Sequence, residues 1–192
     1  MIDEGRRPVV TLLGDSITEG YGLRTEDALP VQLDHELTRI GVTAEVRNAG
    51  VSGDTTAQGL ARMSRDVAAD TDVCVVALGA NDLMQALSPQ RIEANLVQIV
   101  ERLEAAGVTI VLAGMRAPPR YGAYAAAFDR VFQGLAARAG IVSYPFLLEG
   151  VALDRRYNQP DGIHPNAAGV RIIAAGLAPV VASAIARRKA RP

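Results

Sequence analysis

Cysteine and histidine are scarce in this sequence, and their scarcity narrows the kinds of site that it can hold. Among 192 residues there are one cysteine and two histidines. Cys74 has no partner for an intrachain disulfide and lies within the apolar run 72–78, which is typical of an unreactive core residue. His35 and His164 are too few and too far apart to indicate a zinc cluster. The sequence also lacks a Walker loop and a Gly-x-Gly-x-x-Gly motif, so we predict no metal and no cofactor.

An excess of charge of either sign is absent as well. The sequence has 20 Lys and Arg residues and 21 Asp and Glu residues, a net charge of −1. This balance argues against nucleic acid or an anionic membrane as the main partner. We find no apolar run long enough to cross a membrane and predict no stable membrane insertion. Residues 1–8 resemble no signal peptide, which predicts a cytoplasmic protein, or a periplasmic or secreted one if the chain is a trimmed mature form.

The sequence does contain a regular alternation of apolar runs and amphipathic segments. Its length and its 49% hydrophobic content predict one domain over residues 1–192, with a basic, frayed tail from residue 187. Apolar runs predict five strands, at residues 9–13, 43–48, 73–78, 108–113 and 141–144. Helical spacing predicts helices at residues 27–40, 55–67, 89–106 and 121–138, and from residue 165 onward, where Pro179 is expected to kink or split the last helix. Residues 17–25, 82–88 and 145–164 are predicted as loops.

This alternation predicts a three-layer α/β/α fold with a parallel sheet, because the helix of a strand–helix–strand unit connects parallel strands by a right-handed crossover. Polar residues follow the predicted strands at the points where the strands end. Ser16 follows the first strand, Gly53 the second and Asn81 the third, while Asp161 and His164 follow the fifth. The carboxyl ends of parallel strands form the edge at which such sheets bind ligands, so we expect these residues to meet there.

Each of these motifs alone is a common turn or helix-cap sequence, but together they supply the groups that acyl transfer requires. Ser16 is predicted to be the nucleophile and His164 its base, with Asp161 orienting the imidazole. The backbone N–H groups of Ser16 and Gly53 and the side-chain amide of Asn81 are predicted to hold the oxyanion. His35 is out of phase with the apolar stripe of its helix, so we interpret it as a solvated residue.

These blocks resemble the four signature blocks of the SGNH/GDSL hydrolases, in the same order. The matching segments are residues 14–16, Gly53 within 49–55, 79–82 and 161–165. Longer matches at residues 48–55 and 158–168 are most similar to the branch containing thioesterase I/lysophospholipase L1 and the related arylesterases. The resemblance covers nearly the whole chain and implies a flavodoxin-like five-stranded parallel sheet of order 2-1-3-4-5, which periodicity alone does not select. One departure is Ala80, where the family usually has glycine, and its methyl group is expected to stiffen the turn or narrow the site.

The loops at residues 21–24, 82–88 and 115–121 are predicted to border the crevice, and their side chains are largely apolar. The predicted substrate pocket consists of Tyr21, Leu83, Met84, Met115, Pro118 and Tyr121. Such a border favours acyl or aryl esters over polar sugars. We therefore predict a serine hydrolase that cleaves small-molecule esters or thioesters with short-to-medium acyl or aryl groups, acyl-CoA and lysophospholipid included.

Two alternatives stay open at this point. The same acyl-enzyme would serve an acyltransferase, in which an alcohol replaces water. A non-catalytic, flavodoxin-like signalling or binding domain, such as a phosphoacceptor receiver, would need an acidic cluster, for which Asp15 and Asp82 are the candidates. The sequence leaves the oligomeric state open.

Overall fold

The centre of the protein is a parallel sheet of five strands. A computed structural model describes residues 6–189. The strands, in chain order, are β1 (Val9–Gly14), β2 (Glu45–Gly50), β3 (Val73–Ala77), β4 (Thr109–Ala113) and β5 (Ile141–Tyr144). Their spatial order is β2-β1-β3-β4-β5, which confirms the predicted order. Strands β1, β3 and β4 are buried along their whole length, which explains their predominantly apolar sequences.

Helices cover both faces of the sheet. They are α1 (Ser16–Glu19), α2 (Leu29–Arg39), α3 (Thr56–Asp66), α4 (Ala80–Met84), α5 (Pro89–Ala105), α6 (Ala123–Ala136) and α7 (Ala167–Lys189). Helices α2 and α7 pack together on one face, while α3, α5 and α6 pack in a row on the other. The apolar faces of these helices and the buried strands form one continuous core, as the predicted α/β/α architecture requires.

Two short helices, α1 and α4, occupy residues that were predicted to be loops. The side chain of Asp15 accepts a hydrogen bond from the backbone N–H of Ile17 (3.0 Å) and caps α1, which ends at Gly20 with φ +94°. Helix α4 begins directly after Gly79, whose φ of +124° turns the chain out of β3. Helices of four and five residues complete little more than one turn, so no apolar period could reveal them.

The last helix, α7, differs from its prediction in two respects. It continues unsplit through Pro179, because a buried apolar stripe along its length outweighs the lost backbone hydrogen bond. It includes Arg187–Lys189, and Arg188 pairs with Asp72 (2.7 Å), so a frayed tail from residue 187 is wrong for these residues. Residues 190–192 of that predicted tail lie outside the described residues, and so do residues 1–5 of the N-terminal segment.

The prediction that no apolar run is long enough to cross a membrane is also wrong, as far as length and composition alone decide. The stretch Ala167–Arg188 is long and apolar enough, although half of its most apolar part is buried. It packs against α2, β3, β4 and β5, as the core helix of an α/β protein does.

The ends of three neighbouring strands lie side by side. In the register of the sheet, Gly14 pairs with Gly50 on one side and with Ala77 on the other. Ser16 follows Gly14 by two residues, Gly53 follows Gly50 by three, and Asn81 follows Ala77 by four. The register therefore delivers three of the predicted site residues to one edge of the sheet.

We predict that Gly50→Ala destabilises the fold at this edge. A Cβ atom at residue 50 would overlap the backbone nitrogen of Glu19 and lie 2.8 Å from its Cα. Because backbone atoms give way less easily than side chains, we expect the free energy of unfolding to fall by about 1–3 kcal/mol. Gly134→Ala in α6 is the control, since its Cβ would meet nothing within 4 Å. We expect that variant to gain about 0.5–1 kcal/mol from helix propensity. Equal stability of the two variants in urea unfolding would contradict the steric argument.

Candidate active site

Ser16, His164 and Asp161 form one chain of hydrogen bonds at the carboxyl edge of the sheet. The hydroxyl of Ser16 lies 3.0 Å from Nε2 of His164, and Nδ1 of His164 lies 2.6 Å from Oδ2 of Asp161. With the ring proton on Nδ1, His164 donates to Asp161 and accepts the hydroxyl proton of Ser16 at Nε2. This is the arrangement in which an imidazole can take a proton from a serine.

The loop before α7 holds Asp161 and His164 in a fixed relation. The second carboxylate oxygen of Asp161 accepts hydrogen bonds from the backbone N–H groups of Ile163 (2.9 Å) and His164 (3.0 Å). The hydrogen bond from the imidazole, helped by these two backbone donors, lowers the pKa of Asp161 to about 2. Asp161 is therefore ionised throughout the range in which an imidazole titrates.

Ser16 and Asn81, two of the three predicted oxyanion donors, lie beside the same cleft. Ser16 is the first residue of α1, where helix geometry leaves its backbone N–H unused. Asn81, in α4, is buried and lines the cleft described below. Its amide nitrogen donates one hydrogen to the backbone oxygen of Asp54 (2.9 Å). An amide nitrogen carries two hydrogens, so the second remains for a ligand.

The backbone conformation at residue 53 favours glycine. A Cβ at residue 53 would meet nothing within 4 Å, but the backbone has φ +86°, a conformation that other residues rarely adopt. Within the described residues, no hydrogen bond uses the backbone N–H of Gly53.

An apolar cleft of about 520 Å³ opens beside Ser16, Asn81 and His164. Five of the six predicted pocket residues line it, namely Leu83, Met84, Met115, Pro118 and Tyr121. The sixth, Tyr21, lies outside its lining and packs against the imidazole of His164, with ring centroids 4.7 Å apart. The predicted loops at residues 82–88 and 115–121 thus form one wall of the cleft. Tyr21, from the third predicted loop, packs on His164 instead.

The opposite wall comes from the long loop before His164, which the sequence analysis did not assign to the pocket. Its contributions are Phe146, Leu148, Ala152, Leu153, Gly162 and Ile163. Leu153 is 77% exposed, and its positive φ of +64° sets it apart from most residues other than glycine. The unusual density of apolar residues in residues 146–153 is the sequence signal that could have revealed this wall.

The remaining candidates from the sequence do not face the cleft. His35 is exposed on α2, as predicted. Asp82 is buried and accepts hydrogen bonds from the backbone N–H and the hydroxyl of Thr56 (2.8 and 2.6 Å). Asp15 is completely buried as well. The two carboxyls that a phosphoacceptor site would need are therefore not available at the surface.

Asp15, directly before Ser16, has an unusual environment. One carboxyl oxygen caps α1, and the other has no hydrogen-bond partner within residues 6–189. Burial raises the pKa of Asp15 to about 6, against the opposing effects of the Ile17 N–H and of His164.

A serine that is hydrogen-bonded to a His–Asp pair, on a flavodoxin-like sheet, is the arrangement of a serine hydrolase. The chain belongs to the GDSL-like Lipase/Acylhydrolase family, whose sequence profile matches residues 12–172.

Individual relatives agree with this assignment. The chain is 38% identical to Esterase TesA of Pseudomonas aeruginosa over 80% of this chain and 78% of that protein. It is 36% identical to Thioesterase 1/protease 1/lysophospholipase L1 of Escherichia coli K12, over 81% and 74% of the two chains. The crystal structure of TesA superposes with a TM-score of 0.85 at 33% identity, over 93% of this chain and 99% of that one.

We predict that Asp15→Asn changes how stability depends on pH. The folded protein binds the Asp15 proton more tightly than the unfolded chain, whose carboxyl titrates near its ordinary value of 3.8. The stability of the wild type should therefore fall, relative to that of the variant, as pH rises from about 4 to about 6. The expected difference is of the order of 2–3 kcal/mol.

Urea unfolding of both proteins at pH 4 and pH 7 measures this difference. Asp161 titrates below this window and is present in both proteins, so its contribution cancels. A gap between wild type and variant that is the same at both pH values would show that the burial of Asp15 is not costly.

Proposed function

We propose that this protein is a serine hydrolase that cleaves carboxylic esters and thioesters through an acyl-enzyme on Ser16. The observation that carries this conclusion is the hydrogen-bonded series Asp161–His164–Ser16 at the mouth of an apolar cleft. The relatives named esterase and thioesterase support both ester classes. The relatives reported above are named as hydrolases, so they do not support the alternative functions of acyltransferase or signalling domain.

In the first half of the reaction, Oγ of Ser16 attacks the substrate carbonyl carbon while its proton passes to Nε2 of His164. The carbonyl oxygen becomes an oxyanion that accepts hydrogen bonds from the backbone N–H groups of Ser16 and Gly53 and from the amide of Asn81. The imidazolium, supported by ionised Asp161, then protonates the leaving alcohol or thiol, and the bond to it breaks.

In the second half, water replaces the leaving group. His164 takes a proton from the water, whose oxygen attacks the acyl carbon and forms a second oxyanion in the same position. When that intermediate collapses, His164 returns the proton to Oγ of Ser16. The carboxylic acid is released and the enzyme is restored.

The cleft supports short-to-medium acyl or aryl groups as the substrate class, with acyl-CoA and lysophospholipid as further candidates. Its lining is predominantly apolar, and Arg116 and Arg120 are its cations. An apolar chain would gain roughly 0.8 kcal/mol for each methylene buried there. The cytoplasmic or periplasmic location and the single-domain organisation over residues 1–192 remain predictions from the sequence.

We expect Ser16→Ala to abolish nearly all turnover of a p-nitrophenyl ester while the protein stays folded, because no other group can form the acyl-enzyme. His164→Ala should lose as much, and the double variant should be little worse than either single variant, since triad members act as a unit. His35→Ala is the matched control on an exposed helix and should keep full activity. A folded Ser16→Ala protein with normal esterase activity would overturn the proposed function.

Ala80 is proposed to limit acyl-chain length. It lines the cleft at the start of α4, so its methyl group occupies space beside Asn81. We expect Ala80→Gly to extend the range toward longer chains in a p-nitrophenyl ester series compared by kcat/KM. Ala86→Gly is the control, because Ala86 is exposed in the same loop, is absent from the cleft lining and has φ +51°.

The Ala86→Gly control distinguishes an effect of the space that the Ala80 methyl group occupies from an effect of loop flexibility. Broadening in Ala80→Gly alone supports the steric explanation. Identical length profiles for Ala80→Gly and the wild type would show that Ala80 has no effect on chain length. A wild-type optimum at long-chain acyl-CoA would contradict the short-to-medium preference itself.

A further inference from the structure

Arg62, in the middle of α3, is a largely buried cation that the mechanism above does not use. Its side chain is only 9% exposed. Burying a guanidinium is costly unless its N–H groups and its charge are satisfied. Its partners therefore show what the protein gains from placing it beneath the edge of the sheet.

Four of the five N–H groups of Arg62 are used, each by a different acceptor. Nε donates to Oδ2 of Asp54 (2.5 Å), and Nη1 donates to the backbone oxygen of Ala49 and to Oδ2 of Asp66 (both 2.9 Å). Nη2 donates to the backbone oxygen of Gly14 (2.8 Å). Three of these four acceptors lie on segments that lead into the candidate active site.

Each of those three contacts holds a different part of the oxyanion hole. Gly14 ends β1, two residues before Ser16, and Ala49 lies near the end of β2, before the turn that carries Gly53. Asp54 directly follows Gly53, and its backbone oxygen accepts the hydrogen bond from the Asn81 amide (2.9 Å). One guanidinium therefore bridges the segments that present all three oxyanion donors.

The turn at Gly53 also has restraints that do not involve Arg62. Within the described residues, the backbone N–H of Val51 donates to Gly14 (3.1 Å), that of Asp54 donates to Val51 (3.2 Å), and that of Ser52 donates to the Glu19 carboxylate (2.9 Å). None of these bonds reaches Asn81. Asn81 reaches the turn through its own hydrogen bond to the backbone oxygen of Asp54, and Asp82 binds Thr56 just after it. Arg62 adds the contact that joins the Asp54 side chain to the ends of β1 and β2.

We propose that Arg62 is a positioning residue for the oxyanion hole, which fixes Gly53 and Asn81 relative to Ser16 without contacting the substrate. This inference rests on the proposed function. Oxyanion stabilisation depends on donors that are already aimed before charge develops, so small displacements of Gly53 or Asn81 are costly to the rate. Lysine cannot replace Arg62, because one ammonium group cannot span acceptors on three separate segments.

The central test is Arg62→Lys, compared with Arg65→Lys. Arg65 lies on the same helix and also pairs with Asp66 (Nε to Oδ1, 2.6 Å), but its side chain is 76% exposed. Among residues 6–189 it pairs with nothing at the sheet edge. Activity on a soluble p-nitrophenyl ester is expressed per active site, counted with a fluorophosphonate titrant. We expect Arg62→Lys to lower kcat by about 10- to 100-fold with KM changed less than about twofold, as when an oxyanion donor is weakened. Arg65→Lys should change neither.

A transition-state analogue separates positioning from general destabilisation. A trifluoromethyl ketone forms a tetrahedral adduct whose oxygen occupies the oxyanion hole. In Arg62→Lys its Ki should rise by the same factor by which kcat/KM falls. A merely structural role would lower the melting temperature and the number of titratable sites but leave kcat per site and Ki unchanged, and that result would overturn the proposal.

Coupling to Asn81 provides a second readout. We expect Asn81→Ala to lower kcat by about 10²–10³ in the wild type. It should cost clearly less in the Arg62→Lys background, because the amide is already misplaced there. Additive losses would overturn the route through Asp54.

Asp54→Asn keeps the test decisive even if Arg62→Lys folds poorly. It retains the backbone oxygen that binds Asn81 but removes a carboxylate charge that holds Arg62. We therefore expect kcat to fall, by a smaller factor than in Arg62→Lys. Asp66→Asn removes the carboxylate that does not lead to the site and should leave kcat unchanged. Equal per-site kcat values for Asp54→Asn and the wild type would refute the positioning role. Activity that survives Ser16→Ala would instead refute the proposed function.

Discussion

The hydrogen bond between Ser16 and His164 joins residues 148 positions apart, and much of the fold serves to make that contact possible. Ser16 is fixed by the end of β1, whereas His164 depends on the long loop before α7. That loop is held from within by Asn158, whose amide donates to the backbone oxygens of Val151 (2.7 Å) and Asp154 (2.8 Å). Asn166 closes it by capping α7 at the backbone N–H groups of Ala168 and Gly169. A loop without regular structure is therefore held by its own side-chain hydrogen bonds in the conformation that presents His164.

The sequence predicted the strands and the meeting of the polar residues because both depend on local patterns. Apolar runs locate buried strands, and parallel strands must end at a common edge. Their spatial order came from the family resemblance, since periodicity says nothing about which strand lies beside which. Helices α1 and α4 were missed because each is only about one turn long. The wall of the cleft formed by Phe146, Leu153 and Ile163 was missed because an irregular loop has no period to read.

The buried network around Arg62 illustrates a second limit of sequence patterns. On α3, the apolar positions 60, 63 and 67 predict the inward face, and an arginine beside them is ordinarily interpreted as solvated. Its acceptors at Gly14, Ala49 and Asp54 lie 48, 13 and 8 residues away along the chain. No local rule links positions so far apart. Only the register of β1 and β2 brings the backbone oxygens of Gly14 and Ala49 within reach of one side chain.

The pKa values of two aspartates near Ser16 are shifted in opposite directions from their ordinary value. This difference decides which of the two can support the imidazole of His164. Asp161 is 38% exposed on its side chain and accepts three hydrogen bonds, so its pKa falls to about 2. Asp15 is buried with a single donor, and its pKa rises to about 6. A carboxyl that takes up a proton near pH 6 would lose its charge in the range where an imidazolium most needs a counter-charge. Asp161 keeps its charge across that range, while Asp15 serves the site through the backbone, by capping the short helix that presents Ser16.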